Sequence, residues 1–232
     1  MAESDWTYLN DGLDANTVKR GVTAGIVSPG YGDFVFAFNS MTLAEGAVTL
    51  FVNQPDFTDM PLGGSISAAI QRGPGGGPTG FAPFIYLCCG GTSVNDQAYL
   101  LGLSDEDPHR ITLRKGSIVA GIPDSEGSGA LISSSDSFLQ GTYLHLRLEA
   151  IVNSNGDVVL NVFQNDFEAN PLGITPPDWQ PISGMPSFVD DTTAINSGSA
   201  PLTSGRAGFG FAVKDVTRRA FFDHIVVERR IP

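Results

Sequence analysis

The sequence predicts an all-β chain folded as a two-sheet antiparallel sandwich. Glycine (28) and proline (15) are abundant among the 232 residues while charged residues make up only 16%, a composition of short strands and frequent turns. Several runs alternate apolar and small or polar residues with a period of two, the signature of strands with one buried face. No internal repeat and no shift in composition marks a boundary, so residues 1–232 are read as one domain with a sizeable core.

Short strands are expected at 6–9 and 17–24, before a turn cluster, Ser28-Pro29-Gly30-Tyr31-Gly32. Phe34, Phe36 and Phe38 then share one strand face. Further strands are predicted at 47–53, 63–72, 81–89 and 97–103. The glycine-rich stretch 73–80 has no following Gly-Lys-Ser/Thr, so it reads as a loop and not as a phosphate cradle. Ser104 to Pro108 is an acidic turn, and Lys115-Gly116 is expected to join a hairpin of 110–114 with 117–121.

The clearest hairpin spans 142–165. Leu144, Leu146, Leu148, Ala150 and Val152 occupy one face of its first strand, and Val158, Leu160 and Val162 are the apolar residues of the return. A two-residue Asn155-Gly156 turn would set Val152 against Val159 and turn Leu160 to the wrong face. A three-residue loop, Ser154-Asn155-Gly156, pairs Val152 with Val158, Ala150 with Leu160 and Leu148 with Val162, so parity selects it. Residues 166–204 are long, irregular and rich in Pro, Gly, Ser and Asp, with short elements expected around Trp179 and Phe188.

At the C-terminal end, Ala207, Phe209, Phe211 and Val213 alternate with Gly208, Gly210 and Ala212. Ala220 to Glu228 follows, apolar on both faces. The two runs are read as an antiparallel hairpin closing the sandwich, and Leu146, Leu148, Phe209, Phe211, Phe222 and Val226 as core. Ala207-Gly208-Phe209-Gly210-Phe211 and Phe222-Asp223-His224-Ile225-Val226-Val227 resemble the closing strands of the concanavalin A-like (lectin/glucanase, laminin-G-like) jelly rolls. The match is close over a short stretch. It implies a two-sheet antiparallel jelly-roll sandwich and leaves function open.

The net charge of −12 argues against sequence-independent nucleic-acid binding. No apolar run reaches membrane-spanning length, and the first residues lack the basic and apolar regions of a signal peptide, so a leaderless chain without membrane insertion is expected. Cys88 and Cys89 are adjacent and read as small core residues, not as a disulfide framework. Retaining glycosidases need two carboxylates about 5–5.5 Å apart, often set as Glu-x-Asp-x-Glu on one strand. That pattern is absent, and His109, His145 and His224 are scattered, with no nucleophile elbow. No catalytic residue is therefore assigned.

Two candidate sites remain. Tyr143, His145, Arg147 and Glu149 form the outward row of the hairpin, and the selected register sets Asn161 and Phe163 beside Glu149 and Arg147. Aromatic rings next to planar hydrogen-bonding groups suit a sugar or a protein partner. A fold of 166–204 over this row would instead bury it within the chain. Asp190 and Asp191 offer adjacent carboxylates in the long loop, and the resemblance implies calcium held by rim loops; no other cofactor is expected. The resemblance further implies a non-catalytic, lectin-like structural or adhesion protein of a phage virion, with other structural proteins, its own copies or carbohydrate as partners. The competing reading is a soluble, extracellular, calcium-dependent carbohydrate-binding module or glycoside hydrolase relative.

Overall fold

The computed structural model describes residues 7–10, 18–21, 35–39, 48–53, 63–72, 81–90, 96–104, 108–117, 130–139, 141–166, 169–170, 176–191, 199–213 and 219–229. Side chains are described from residue 63 onward, apart from 81–82, 130, 211–213 and 219. The turns expected at 28–32 and 73–80, and the Phe211 side chain, lie outside the described residues.

Fifteen strands are described. They are β1 (Thr7–Asn10), β2 (Val18–Gly21), β3 (Val35–Asn39), β4 (Val48–Asn53), β5 (Gly63–Arg72), β6 (Phe81–Cys89), β7 (Gln97–Leu103) and β8 (His109–Ser117). They continue with β9 (Ala130–Phe138), β10 (Tyr143–Val152), β11 (Val158–Asn165), β12 (Gln180–Pro181), β13 (Phe188–Asp190), β14 (Arg206–Val213) and β15 (Arg219–Arg229). One sheet has the order β1-β4-β14-β6-β7-β8-β9. The other runs β12-β11-β10-β5-β15-β3-β2, with β13 also pairing with β11. Every described pairing is antiparallel. The inner faces enclose one core, in which Leu144, Leu146, Leu148 and Ala150 of one sheet join Ile85, Leu87, Tyr99 and Leu101 of the other.

The hairpin of β10 and β11 has the expected register, with Val152 opposite Val158 and His145 opposite Asn165. Asn153 Oδ1 accepts hydrogen bonds from the backbone N–H of Asn155 (2.9 Å) and Asp157 (3.0 Å). Gly156 takes the left-handed conformation (φ 87°) that this loop requires. The expected short elements near Trp179 and Phe188 are β12 and β13, which extend the sheet along β11.

Three expectations need correction. Runs 206–213 and 219–229 do not form a hairpin. β14 lies between β4 and β6, whereas β15 lies between β5 and β3 in the opposite sheet. Their apolar faces meet across the core, with the Phe209 and Phe222 rings 5.0 Å apart. Val226 is not core. A bulge between Asp223 and Val226, with His224 at φ 52°, reverses the inward parity of β15. Ile225 is thus 5% exposed and Val226 39%.

Lys115-Gly116 makes no turn either, because β8 runs through to Ser117. Lys115 is buried with a carboxylate partner, so its charge does not force the chain to reverse there. The serine-rich β9, which no hydrophobic alternation announced, pairs with β8. Cys88 and Cys89 are free and buried. Cys88 joins Leu87 in the core at an irregular step of β6 (φ 58°), and burial, then the neighbouring Cys89, push its thiol up to about 12.

Candidate functional site

The outer face of the larger sheet is built from three neighbouring strands. On β10 it carries Tyr143, His145, Arg147 and Glu149; on β5 the residues opposite them are Gln71, Ala69, Ser67 and Ser65. On β15 it carries Phe221, Asp223, Val226 and Glu228. The small side chains of β5 leave a trough between two strands of longer ones. At the Glu149 end a groove of about 370 Å³ is lined by Gly64, Ser65, Arg147, Glu149, Glu228 and Arg229.

Its polar groups are already oriented. Arg147 Nη1 lies 2.9 Å from Glu228 Oε2, which also accepts a hydrogen bond from Ser65 Oγ at 3.1 Å. Asn161 Nδ2 donates to Glu149 Oε2 at 3.0 Å, and Ser187 Oγ donates to Asn161 Oδ1 at 2.6 Å. The Glu228 side chain is 55% exposed, so its ion pair adds little to stability, about 0–1 kcal/mol. The pair's effect is to fix the guanidinium plane.

The other end of the row is covered by the chain itself. Trp179 sits over His145 with ring centroids 4.5 Å apart, and the Arg147 guanidinium carbon lies 5.8 Å from the centroid of the same indole. Asn165 holds this cover in place. Its Oδ1 accepts from the Asp178 N–H at 2.9 Å, and its Nδ2 donates to the Asn170 carbonyl at 3.1 Å. His145 is 1% exposed, so it supports Trp179 and does not meet solvent. Burial, then the charge of His224, lowers its pKa from 6.5 to about 3. Tyr143 is half-buried, and burial, then Asp223, raises its hydroxyl far above the usual phenol range. Phe163 is half-buried on β11, opposite Pro181 of the covering segment.

The predicted row therefore divides. Arg147 and Glu149 line the groove and Asn161 is hydrogen-bonded to Glu149 behind it, while Tyr143, His145 and Phe163 lie toward the covered end. The sequence reading missed Ser65, Glu228 and Arg229 because they come from β5 and β15, far away in the chain. It marked Trp179 only as the centre of a short element.

Asp190 lies in β13 and is 1% exposed, not in an open rim loop. Its Oδ2 is 2.7 Å from Lys115 Nζ and accepts the Tyr99 hydroxyl at 2.5 Å. Lys115 Nζ also donates to the carbonyls of Ser199 (3.0 Å) and Ala200 (2.8 Å). A calcium ion would need six to eight oxygens. Here an ammonium already occupies the carboxylate, and among the described residues no group of three or more His, Cys, Asp or Glu side chains could hold a metal. With Lys115 and Tyr99 in place, Asp190 Oδ2 is engaged within the chain and is not held open for a calcium ion. Asp191 is half-buried beside it.

No protein-family model and no curated protein matches the sequence. Solved structures do match. The potassium-bound carbohydrate recognition domain of Emp46p superposes with a TM-score of 0.53 at 14% identity, covering 99% of this chain and 90% of that one. The fold is that of the concanavalin A-like lectins. The exoplasmic/lumenal domain of VIP36, bound to Ca²⁺ and Man3GlcNAc, gives a TM-score of 0.50 at 8% identity over 100% of this chain and 86% of that one. A marine PL-14 alginate lyase from Aplysia kurodai gives 0.51 at 10% identity over 93% and 88%. At these identities the likeness concerns the fold.

Proposed function

We propose that this chain is a non-catalytic, lectin-like module that binds carbohydrate in the groove at Arg147, Glu149, Asn161 and Glu228. The observation that carries the reading is the convergence of Arg147, Glu149 and Glu228 in one groove, with Asn161 orienting Glu149 and the half-buried indole of Trp179 beside Arg147. A sugar presents vicinal hydroxyls that bridge a guanidinium and a carboxylate, and an apolar ring face that packs on an aromatic. The carbohydrate-bound state of a domain with the same fold supports the reading. The setting we propose is a phage virion, where the module would contact structural proteins or its own copies as well as surface glycans.

A glycan array, followed by titration calorimetry of any hit, tests the binding. Arg147→Ala and Glu149→Ala should each weaken binding about tenfold, as for central contacts, while thermal melts stay within a few degrees. Binding that is unaffected by both substitutions would remove the groove from consideration. Co-purification with virus particles tests the setting.

One observation keeps a catalytic alternative in view. Glu149 and Glu228 both pair with Ser65, so two carboxylates flank the groove from strands two positions apart, with backbones roughly 10 Å apart. Inverting glycosidases separate their carboxyl groups by about 6.5–9.5 Å. Glu228, however, is more than half exposed and engaged by Arg147 and Ser65, without the apolar pocket that keeps a general acid protonated. Turnover of alginate or a β-glucan that disappears with Glu149→Gln or Glu228→Gln would establish the enzyme reading instead.

A further inference from the structure

We propose that the Lys115 ammonium is a resident cation, tethering β13 and residues 199–202 as a bound metal ion could. Nζ has three oxygen partners: Asp190 Oδ2 at 2.7 Å, the Ser199 carbonyl at 3.0 Å and the Ala200 carbonyl at 2.8 Å. An ammonium has three N–H donors, so all are used. One carboxylate and two main-chain carbonyls supplied by connecting segments is also the kind of oxygen set that hard cations take. Lys115 is 4% exposed, Asp190 1% and Tyr99 0%, so the ammonium and the carboxylate meet out of water.

The cluster joins the smaller sheet, where Tyr99 and Lys115 are cross-strand partners, to β13 and to residues 199–202. Lys115 comes from β8 and Tyr99 from β7, both in the smaller sheet. Asp190 ends β13 on the edge of the larger sheet. Tyr99 extends the tether, because its hydroxyl donates to Asp190 and accepts the Leu202 N–H at 2.9 Å. Burial, then the hydrogen bond to Asp190, pushes that hydroxyl far above the usual phenol range, so it stays a donor. One positive charge thus draws β13 and residues 199–202 onto the same end of the sandwich. Because it is covalently attached, the tether neither depends on cation concentration nor responds to chelators. This inference stands apart from the glycan reading, since none of its residues lines the groove.

The experiment uses the full chain and follows thermal melting and hydrogen exchange at 188–191 and 199–202. Wild-type melting and exchange should be the same with EDTA, potassium or calcium present. Lys115→Ala should melt lower and exchange about tenfold faster in those two segments. Potassium or methylammonium should recover part of that loss by entering the vacated position, whereas tetramethylammonium, too large and without N–H donors, should not. A wild type loosened by EDTA overturns the proposal, and so does a Lys115→Ala protein that matches wild type or gains nothing from small cations. Should Lys115→Ala fail to fold, Lys115→Met, Asp190→Asn and the double variant give the same decision. Coupled charges predict a double variant that melts higher than the sum of the two single losses; simple additivity overturns the proposal.

Discussion

Acidification should destabilise this protein through His145 before carboxylate protonation does so. The imidazole is 1% exposed, lies under Trp179, meets the His224 ring edge-on at 6.1 Å and has Nδ1 at 3.3 Å from the Asn165 amide nitrogen. Burial, then His224, lowers its folded-state pKa from 6.5 to about 3. Between those values the unfolded chain binds a proton that the folded chain refuses, so stability falls as pH falls. The neutral ring's contribution is complete above pH 6.5 and is lost progressively below it. A full proton difference is worth ~1.4 kcal/mol per pH unit, so going from pH 7 to about pH 4.5 should cost roughly 2–3 kcal/mol. The assay is urea unfolding of wild type and His145→Gln at both pH values. Glutamine keeps a hydrogen-bonding amide and does not titrate, so most other titrating groups cancel in the comparison. Wild type's advantage over the variant should shrink by that amount at the lower pH. An advantage constant to within about 0.5 kcal/mol would refute the linkage.

Other perturbations test the core and the backbone. Phe209→Ala, which removes a fully buried ring packed 5.0 Å from Phe222, should cost ~3–5 kcal/mol in denaturant melts. Ile225→Ala should cost ~2–5 kcal/mol, while Val226→Ser stays within about 0.5 kcal/mol; equal costs would deny the bulge in β15. Gly63 has φ 91°, and a Cβ there would meet the Ala150 carbonyl, so Gly63→Ala should lower stability by about 1–3 kcal/mol in urea melts.

Much of the local structure was legible in the residues. The limits of β5, β6 and β7 follow from alternation and from the glycines and prolines around them. The register of β10 against β11 followed from parity alone, because any one-residue slip turns Leu160 away from the core. Arg147, Glu149 and Asn161 were placed on one face by the same argument. The serine-rich β9 was not legible, because its inner positions include Ser134, whose buried hydroxyl donates to the Asp136 carbonyl instead of packing as a hydrophobe.

What the sequence by itself determined is which residues of β10 and β11 share a face and where the turn between these two strands falls. Both are local, set by the two-residue period of the strand and by the backbone freedom of Gly, Asn and Asp. Only the tertiary structure decided which strands distant in the chain are neighbours. A sheet hydrogen bond carries no fixed sequence offset, so nothing in residues 206–229 says that β14 and β15 belong to opposite sheets. The same freedom brings Glu228 to Arg147 and Lys115 to Asp190, and a single bulge at His224 exchanges Ile225 for Val226 in the core. Desolvation then acts on the assembled neighbours: an aspartate that reads as a metal ligand in an open loop becomes, once buried, the partner of a lysine.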